Sequence, residues 1–323
     1  MTNSKMVSII ISNYNGKEHL RECLSSLMRL KYPNYEVIVV DAGSTDGSGQ
    51  MAERDFPNVI LLKKGRIGIG EAINWGILRS RGEFIVFDLN NDDVVDENWL
   101  DPLVETLNSS QEIGIVCGKR YRHGTNKILD CAGGKINFLT GDTPVLGQGR
   151  KNSREYDTLK EVDYVPVIMT RREIINKIGL CDPEYFIYFE DTDFCIRAKR
   201  VGYKVIYVPS AIFWHKGSMT VGKFSYNNYY YLRRNQIRFV IKNFPAHFMV
   251  TALIYCLIFR TVTDSLIMIS PLRKTVNSLF PSIQGYTSSR SDSKCWTAQK
   301  NAIFWNIRNL GSTVKARQLV ILR

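Results

Sequence analysis

Apolar runs of two kinds alternate along the first hundred residues. Residues 6–12, MVSIIIS, are almost wholly apolar, the pattern of a strand covered on both faces. Residues 17–30, KEHLRECLSSLMRL, change to helical spacing, with Leu20, Leu24, Leu27 and Met28 predicted on one side. A second strand is predicted at 35–44 (YEVIVVDAGS), a short helix in GQMAERDF and a third strand in NVILLKK. GEAINWGILRSRG reads as a helix closed by Gly82, and EFIVFDL as a fourth strand. Strand and helix repeating at this pitch predict an α/β fold, a mostly parallel, doubly wound sheet flanked by helices.

After residue 110 the pattern loosens. Short strands are predicted at 113–121, 128–137 and 161–170, and a helix at 171–178. Another helix runs from Asp191 to Val201, with Gly202 past its end, then a strand from Lys204 to Val208. His215 falls beyond that strand, in a glycine-bearing loop. Residues 226–244 are predicted helical, with aromatics and arginines interleaved. FMVTALIYCLIF, 248–259, is an apolar run broken by Arg260 and Asp264. Crossing a bilayer takes roughly 20 apolar residues, so a run of this length suits an interfacial, re-entrant or core helix.

Charge sharpens the division of the chain. The net charge is +12, and all of the excess lies at one end. Residues 224–323 carry 14 Lys and Arg against Asp264 and Asp292, while residues 1–223 balance at 29 of each sign. Two regions are therefore expected, 1–223 and 224–323. The second needs an anionic partner, a nucleic acid or a membrane surface. Arg and Tyr interleave at 226–238, but no known RNA-binding signature accompanies them, so no nucleic acid partner is expected. The seven cysteines are scattered and none forms a C-x-x-C pair, which indicates neither a zinc site nor a redox dithiol. Their odd number, with an N-terminus that enters a strand without a secretory signal, fits a reducing compartment.

In open α/β sheets, ligands bind at the carboxyl ends of the strands. Three predicted strand ends carry polar residues: Asn13, Tyr14 and Asn15; Asp41 with Ser44 to Asp46; and Asn90 to Asp93. The last set ends the run FIVFDLNNDDVV, where a core strand turns into a knot of carboxylates and amides. Such residues form turns and cap helices, here the helix predicted in ENWLDPLVETL. They also suit a hard divalent cation, which takes one or two carboxylates together with substrate phosphates. Glu190, Asp191 and Asp193 open a predicted helix, where acidic residues complement its dipole. They also suit a general base among Tyr185, Phe186, Tyr188 and Phe189; aromatic surroundings would raise its pKa and the helix N-terminus lower it. A lone His215 is compatible with a hydrogen-bonded structural residue or a neutral imidazole metal ligand. Gly68-x-Gly70 is a weak dinucleotide signal, because that fingerprint belongs after the first strand.

Together, VSIIISNYNG, VIVVDAGSTDGS (37–48), GIGEAINWGILRSRGEFIVFDLNNDD (68–93) and YFEDTDFCIRAKRVGYKVIYVPSAIFWHKGS (188–218) resemble the family 2 glycosyltransferases of GT-A fold. YYYLRRNQIRFVIKNFP and AIFWNIRNLGSTVKAR look familiar from the same family, so the likeness covers most of the chain. The resemblance implies a GT-A catalytic domain at 1–223; the basic charge, aromatics and apolar run of the helical region 224–323 suit a membrane-associated surface, or else a basic helical subdomain that packs on the catalytic core. The resemblance also implies an inverting, metal-dependent transfer from a nucleoside-diphosphate sugar, a UDP- or dTDP-sugar first, to a glycan or lipid-linked acceptor. Asp41 and Asp46 fall where the family contacts the nucleotide, with Asn13, Tyr14, Asn15, Ser44, Gly70 and Asn74 counted in the same site. Asn90 and Asp92 match the two ends of the D-x-D element, Asp93 supports it, and Asp92 with His215 would hold Mg²⁺ or Mn²⁺. Glu190 and Asp191 match the catalytic pair, with Asp191 the base. Asn90 in place of the first Asp resembles the rhamnosyl- and galactofuranosyl-transferring branch, and Ala42 stands where Asn is usual. With the basic C-terminal region on an anionic leaflet, the expected location is the cytoplasmic face of the membrane, peripheral or monotopic. A non-catalytic scaffold and a nucleotidyltransferase on the same fold are the alternatives; the latter needs a basic, glycine-rich loop that SNYNGKEHL does not supply.

Overall fold

The computed structural model describes residues 4–125, 127–217, 225–259 and 293–321. Val7, Ile9, Ile10 and Ile11 are fully buried in β1 (Val7–Asn13). α1 (Lys17–Leu27), β2 (Tyr35–Asp41), α2 (Ser48–Asp55), β3 (Ile60–Lys63), α3 (Ile69–Arg79) and β4 (Phe84–Asn90) complete the predicted alternation. Two details differ. Met28 lies past the end of α1 and is exposed, so it is no part of the buried stripe. α3 closes on Ser80, whose N–H reaches the carbonyls of Gly76 and Ile77. Gly82 serves another need, since a Cβ there would come within 2.6 Å of the Ser8 nitrogen.

The later chain adds β5 (Asp93–Val95), α4 (Leu100–Ser109), β6 (Ile113–Arg122), β7 (Leu129–Cys131), β8 (Lys160–Val162), β9 (Ile168–Arg171), α5 (Arg172–Ile178), α6 (Glu190–Arg200) and β10 (Lys204–His215). Residues 128–137 thus supply only the short β7. The expected strand at 161–170 splits into β8, which pairs with β10, and β9, which pairs with β4 and β6. β10 does not stop at Val208. It shifts register between Val208 and Ile212, where Pro209 has no N–H to give, and then pairs on to His215. His215 therefore ends a strand and is not in a loop.

The sheet order is β3-β2-β1-β4-β9-β6-β10-β5, with β7 on β6 and β8 on β10. The first four neighbours run parallel, as expected of the N-terminal half. β9 then enters antiparallel between β4 and β6, so the second half is mixed. β9 pairs with β4 only over Phe84 to Phe87 and with β6 at Ile115 and Val116. Beyond those residues the ends of β4 and β6 are not bridged by β9. This crevice at the carboxyl ends is where a sheet of this kind binds ligands.

Two compact units divide the chain: Met1–Lys135 with Val145–Thr220, and Ile136–Pro144 with Val221–Arg323. Ile136–Pro144, inside the expected 1–223 region, belongs to the second unit. Phe138 packs on Phe244, with ring centroids 4.8 Å apart, and Gln236 donates to the Asp142 carboxylate at 3.0 Å. That unit holds α7 (Tyr226–Asn243), α8 (Ala246–Ile254) running into a π-helical turn (Tyr255–Phe259), α9 (Ser293–Arg308) and α10 (Leu310–Ile321). α7 buries Phe239 and Val240 but also Arg234, Arg238 and Lys242. The Arg234 guanidinium lies 4.4 Å from the Trp305 ring centroid, and Arg238 donates to Thr313 at 2.9 Å. Among the described residues no helix is long and apolar enough to cross a membrane. Residues 260–269, where the apolar stretch begun at 248 would continue, lie outside the described residues.

Candidate active site

Register places the predicted strand ends together. Asn13 pairs with Asp41 across β1 and β2, Ser12 with Asn90 across β1 and β4, and His215 with Asp93 across β10 and β5. The Asn13 amide donates to Asp41 and to Ser48, each at 2.8 Å, and accepts from Asn91 at 2.7 Å. Ser44 donates to the same Asp41 oxygen at 2.5 Å. Asn91 comes so near the first loop that a Cβ on Gly16 would meet its amide nitrogen at 2.2 Å. Asn15, at φ 46°, accepts from the Thr45 N–H at 2.8 Å and ties the first two strand-end loops together. The Asp46 carboxylate caps both neighbouring helices, accepting from the N–H groups of Lys17 and Ser48. Partial burial opposes its charge, yet the bonds from Ser48 and Lys17 hold its pKa below the ordinary range. Arg66, absent from the sequence-based site, lies 3.6 Å from the centroid of the Tyr14 ring.

The acidic knot follows. Asp88 is buried at φ 65°, and the left-handed turn redirects the end of β4. Asp93 accepts from the Asn90 N–H at 2.9 Å, which closes the turn. The Lys216 N–H donates to the Asp92 carbonyl at 3.1 Å. His215 stands between two carboxylates: its Nε2 is 3.4 Å from Asp92 and its Nδ1 is 3.0 Å from Asp130. Buried Arg120 lies 2.8 Å from Asp130 on its other side. Burial and Arg120 oppose a charge on His215, but the bonds to Asp130 and Asp92 and the charge of Asp93 carry its pKa up to about 9. Burial likewise opposes ionisation of Asp92, yet His215 and Arg120 hold its pKa low. Asp93, more deeply buried, is raised to about 6.

Ligand atoms of Asp92, Asp93 and His215 all lie within 4.8 Å of one another. One Asp93 oxygen, Oδ1, is buried without a hydrogen-bond partner. Two carboxylates, an imidazole and an orphaned oxygen among them fit a divalent cation. Asp130 would then fix the imidazole from behind, as second carboxylates do behind metal-bound histidines.

Facing this knot is the start of α6. The chain reaches it through Phe186, Tyr188 and Phe189, all at positive φ. Burial raises the Asp191 pKa, more than the hydrogen bonds from the Thr192 N–H and hydroxyl lower it. Glu190 is raised to about 8, first by burial and then by Asp191, and its Oε2 has no partner. At both carboxyls burial outweighs the hydrogen bonds that favour the charge. Asp193 stands apart from this pair: it accepts from Tyr185 at 3.1 Å and from buried Arg197 at 2.9 Å. Asp88 feels both acidic sets, its pKa pushed up by burial and by Glu190, Asp191 and Asp93.

Two residues counted in the nucleotide site contact the segment before α6. Both ends of the Asn74 amide bond the Cys181 backbone, at 2.8 and 2.9 Å, and Gly70 abuts the Asp182 carbonyl. They brace the segment that carries Glu190 and Asp191. Arg120, Asp130 and Arg66 carry no signal in the sequence, and Asp88 stands in the acidic knot without a role of its own. The visible signal of Asp88 is a carboxylate inside the apolar run FIVFDL.

Residues 8–179 match the sequence profile described as "Glycosyl transferase family 2", and residues 166–273 match "Glycosyl transferase family group 2". A relative named Glycosyltransferase GlyG, from Streptococcus pneumoniae serotype 4, is 31% identical over 124 residues; the match covers 37% of this chain and spans 40% of GlyG. An N-acetylglucosaminyl-diphospho-decaprenol L-rhamnosyltransferase of Mycobacterium tuberculosis is 27% identical over 244 residues, covering 68% of this chain and 78% of that protein. Among solved structures, the mannosyltransferase PcManGT of Pyrobaculum calidifontis, in complex with GDP-Man and Mn²⁺, superposes with a TM-score of 0.53. That match covers 99% of this chain and 86% of the other at 15% identity.

Proposed function

The chain belongs to glycosyl transferase family 2 and has the GT-A fold, and on that premise we propose an inverting, metal-dependent transfer from a nucleoside-diphosphate sugar to an acceptor hydroxyl. One observation carries the reading. The end of β4 and the start of α6 each carry an acidic set: Asp92 is held low in pKa beside His215, and burial raises the pKa of Asp191. The first set suits a diphosphate held through a cation, and the second suits a proton acceptor.

Asp41, with Asn13 and Ser44, receives the nucleotide, and Tyr14 offers a ring face beside it. Asp92, Asp93 and His215 would hold Mg²⁺ or Mn²⁺, while Asp130 and Arg120 keep the imidazole in place. A bound cation would neutralise charge on the departing diphosphate. Asp191 orients the acceptor hydroxyl and takes its proton as the acceptor oxygen bonds the anomeric carbon. The bond from that carbon to the diphosphate oxygen breaks on the opposite face, which inverts the centre without a covalent enzyme intermediate. Burial raises the basicity of Asp191 and so suits it to that proton. The resemblance to the rhamnosyl-transferring branch favours a UDP- or dTDP-sugar and a glycan or lipid-linked acceptor.

A donor screen tests this. UDP-, dTDP- and GDP-sugars are incubated with the purified chain, with Mn²⁺ or with EDTA, and nucleoside diphosphate release is followed. Slow release from one donor that needs the metal and disappears in Asp92→Ala is the expected result. No release from any donor and no donor-dependent thermal shift, in folded protein given a membrane extract as acceptor source, would refute it.

A further inference from the structure

The helices of the second unit are built inside out. On α9 the inward residues are small or polar: Ala298, Gln299, Ala302 and Asn306, with Thr313 continuing on α10. The exposed residues include large apolar ones on one side of the helix. Trp296 is 53% exposed, Phe304 48% and Ile307 64%, followed on α10 by Leu310 and Val314. Positions 296, 300, 304 and 307 share one helix face. The remaining position of that face is Lys300, whose ammonium lies 5.6 Å from the Trp296 ring centroid and 5.8 Å from that of Phe304. α8 and its π-helical turn repeat the arrangement, with Ala252 and Cys256 buried and Val250, Ile254, Ile258 and Phe259 exposed. The hydrophobic effect in water sorts side chains the other way. Contiguous exposed apolar surface of this kind marks a contact with something else.

Charge selects the occupant. Residues 224–323 carry 14 Lys and Arg against two acidic residues, and Lys300, Arg308 and Lys315 are exposed on α9 and α10. A second copy of so basic a unit would be repelled, and an anionic surface attracted. Trp and Lys on one apolar stripe suit the headgroup boundary, where the ring stays half wet and the ammonium reaches back to water. α9 has 16 residues, and its stripe from Trp296 to Ile307 is ~17 Å long and lies along one side only. That shape suits a helix lying in the interface plane.

We propose that the outward face of α8, α9 and α10 is a monotopic seat on an anionic lipid surface, entered by Trp296, Phe304, Ile307 and Val314 and held by the flanking lysines and arginine. The proposal rests on the second unit alone, so it stands or falls separately from the catalytic reading.

The test is co-sedimentation of the full chain with phosphatidylcholine vesicles and with vesicles that are roughly one-third phosphatidylglycerol. Binding to the anionic vesicles that falls about tenfold or more in Phe304→Ser/Ile307→Ser/Val314→Ser is expected. The thermal midpoint of that variant should match the parent, because the three side chains are exposed. Lys300→Gln with Lys315→Gln should weaken anionic binding roughly tenfold and flatten its salt dependence. A blue shift in tryptophan emission on vesicle addition, absent in Trp296→Phe, would place the ring in the interface. Parent protein that ignores both vesicles, or a serine variant that binds as well as the parent, overturns the proposal. A dimer in sedimentation velocity that the serine variant reduces to a monomer, with no vesicle binding, assigns the face to a second copy and overturns it too.

Discussion

Loading a divalent cation onto Asp92, Asp93 and His215 must expel a proton at neutral pH. A protonated imidazole has no lone pair to give, and His215 sits with a pKa of about 9. Burial and Arg120 work against that charge; the bonds to Asp130 and Asp92 and the nearby Asp93 more than restore it. At pH 7, about two units below that value, roughly 1% of the imidazole is neutral. The apparent affinity for Mn²⁺ should therefore rise about tenfold per pH unit from 7 toward 9, then level off, close to 2.7 kcal/mol in all. Folding of the metal-free chain takes the opposite sign. A His pKa raised from 6.5 to about 9 gives stability that is fully present below pH 6.5 and lost as the pH climbs through 9. The same alkaline shift thus strengthens metal binding and loosens the metal-free fold. Titration calorimetry with MnCl₂ at about pH 7 and 8, in buffers of different ionisation enthalpy, counts the protons released; about one per metal is expected. His215→Gln should bind more weakly and release none from this position. A flat affinity and no proton release in the parent over that range would refute the reasoning.

Other consequences follow from the packing. Gly16→Ala puts a Cβ 2.2 Å from the Asn91 amide and must displace it from Asn13, so donor affinity should fall in a thermal-shift titration. Overpacking of this kind costs about 1–3 kcal/mol, readable by urea unfolding; unchanged donor binding and stability would show that Asn91 moves freely. Asp193→Ala leaves the Arg197 guanidinium buried beside backbone carbonyls without its carboxylate. Breaking a buried pair this way costs about 3–5 kcal/mol, and a loss below 1 kcal/mol in urea would mean that the carbonyls alone satisfy Arg197.

Much of this was legible in the chain because it depends on local pattern. The apolar run of β1 and the polar strand ends fixed which loops meet, through the period of the strands and their parallel order. The strand predicted at Lys204–Val208 is too short, because only the sheet reveals that it resumes after a register shift between Val208 and Ile212. Arg120 and Asp130 were invisible for a different reason. Asp130 lies 85 residues before His215 in sequence and reaches it only because β7 pairs with β6. Asn74 and Gly70 sit in a stretch that resembles the family motif, yet their environment is set by Cys181 and Asp182, over a hundred residues away. Amphipathic spacing in the last hundred residues could be counted from sequence, but spacing does not say which face turns inward. In α9 the small and polar face does.

The most direct test of the central claim compares Asp191→Asn with the parent protein, measuring donor dissociation constant and turnover side by side once the donor is known. Asn keeps the shape and an acceptor oxygen for Thr192 but cannot take a proton. If Asp191 is the base, turnover falls about 10²- to 10⁴-fold while donor affinity stays within about threefold. Turnover retained within a few-fold would contradict the claim and move the proton to another group.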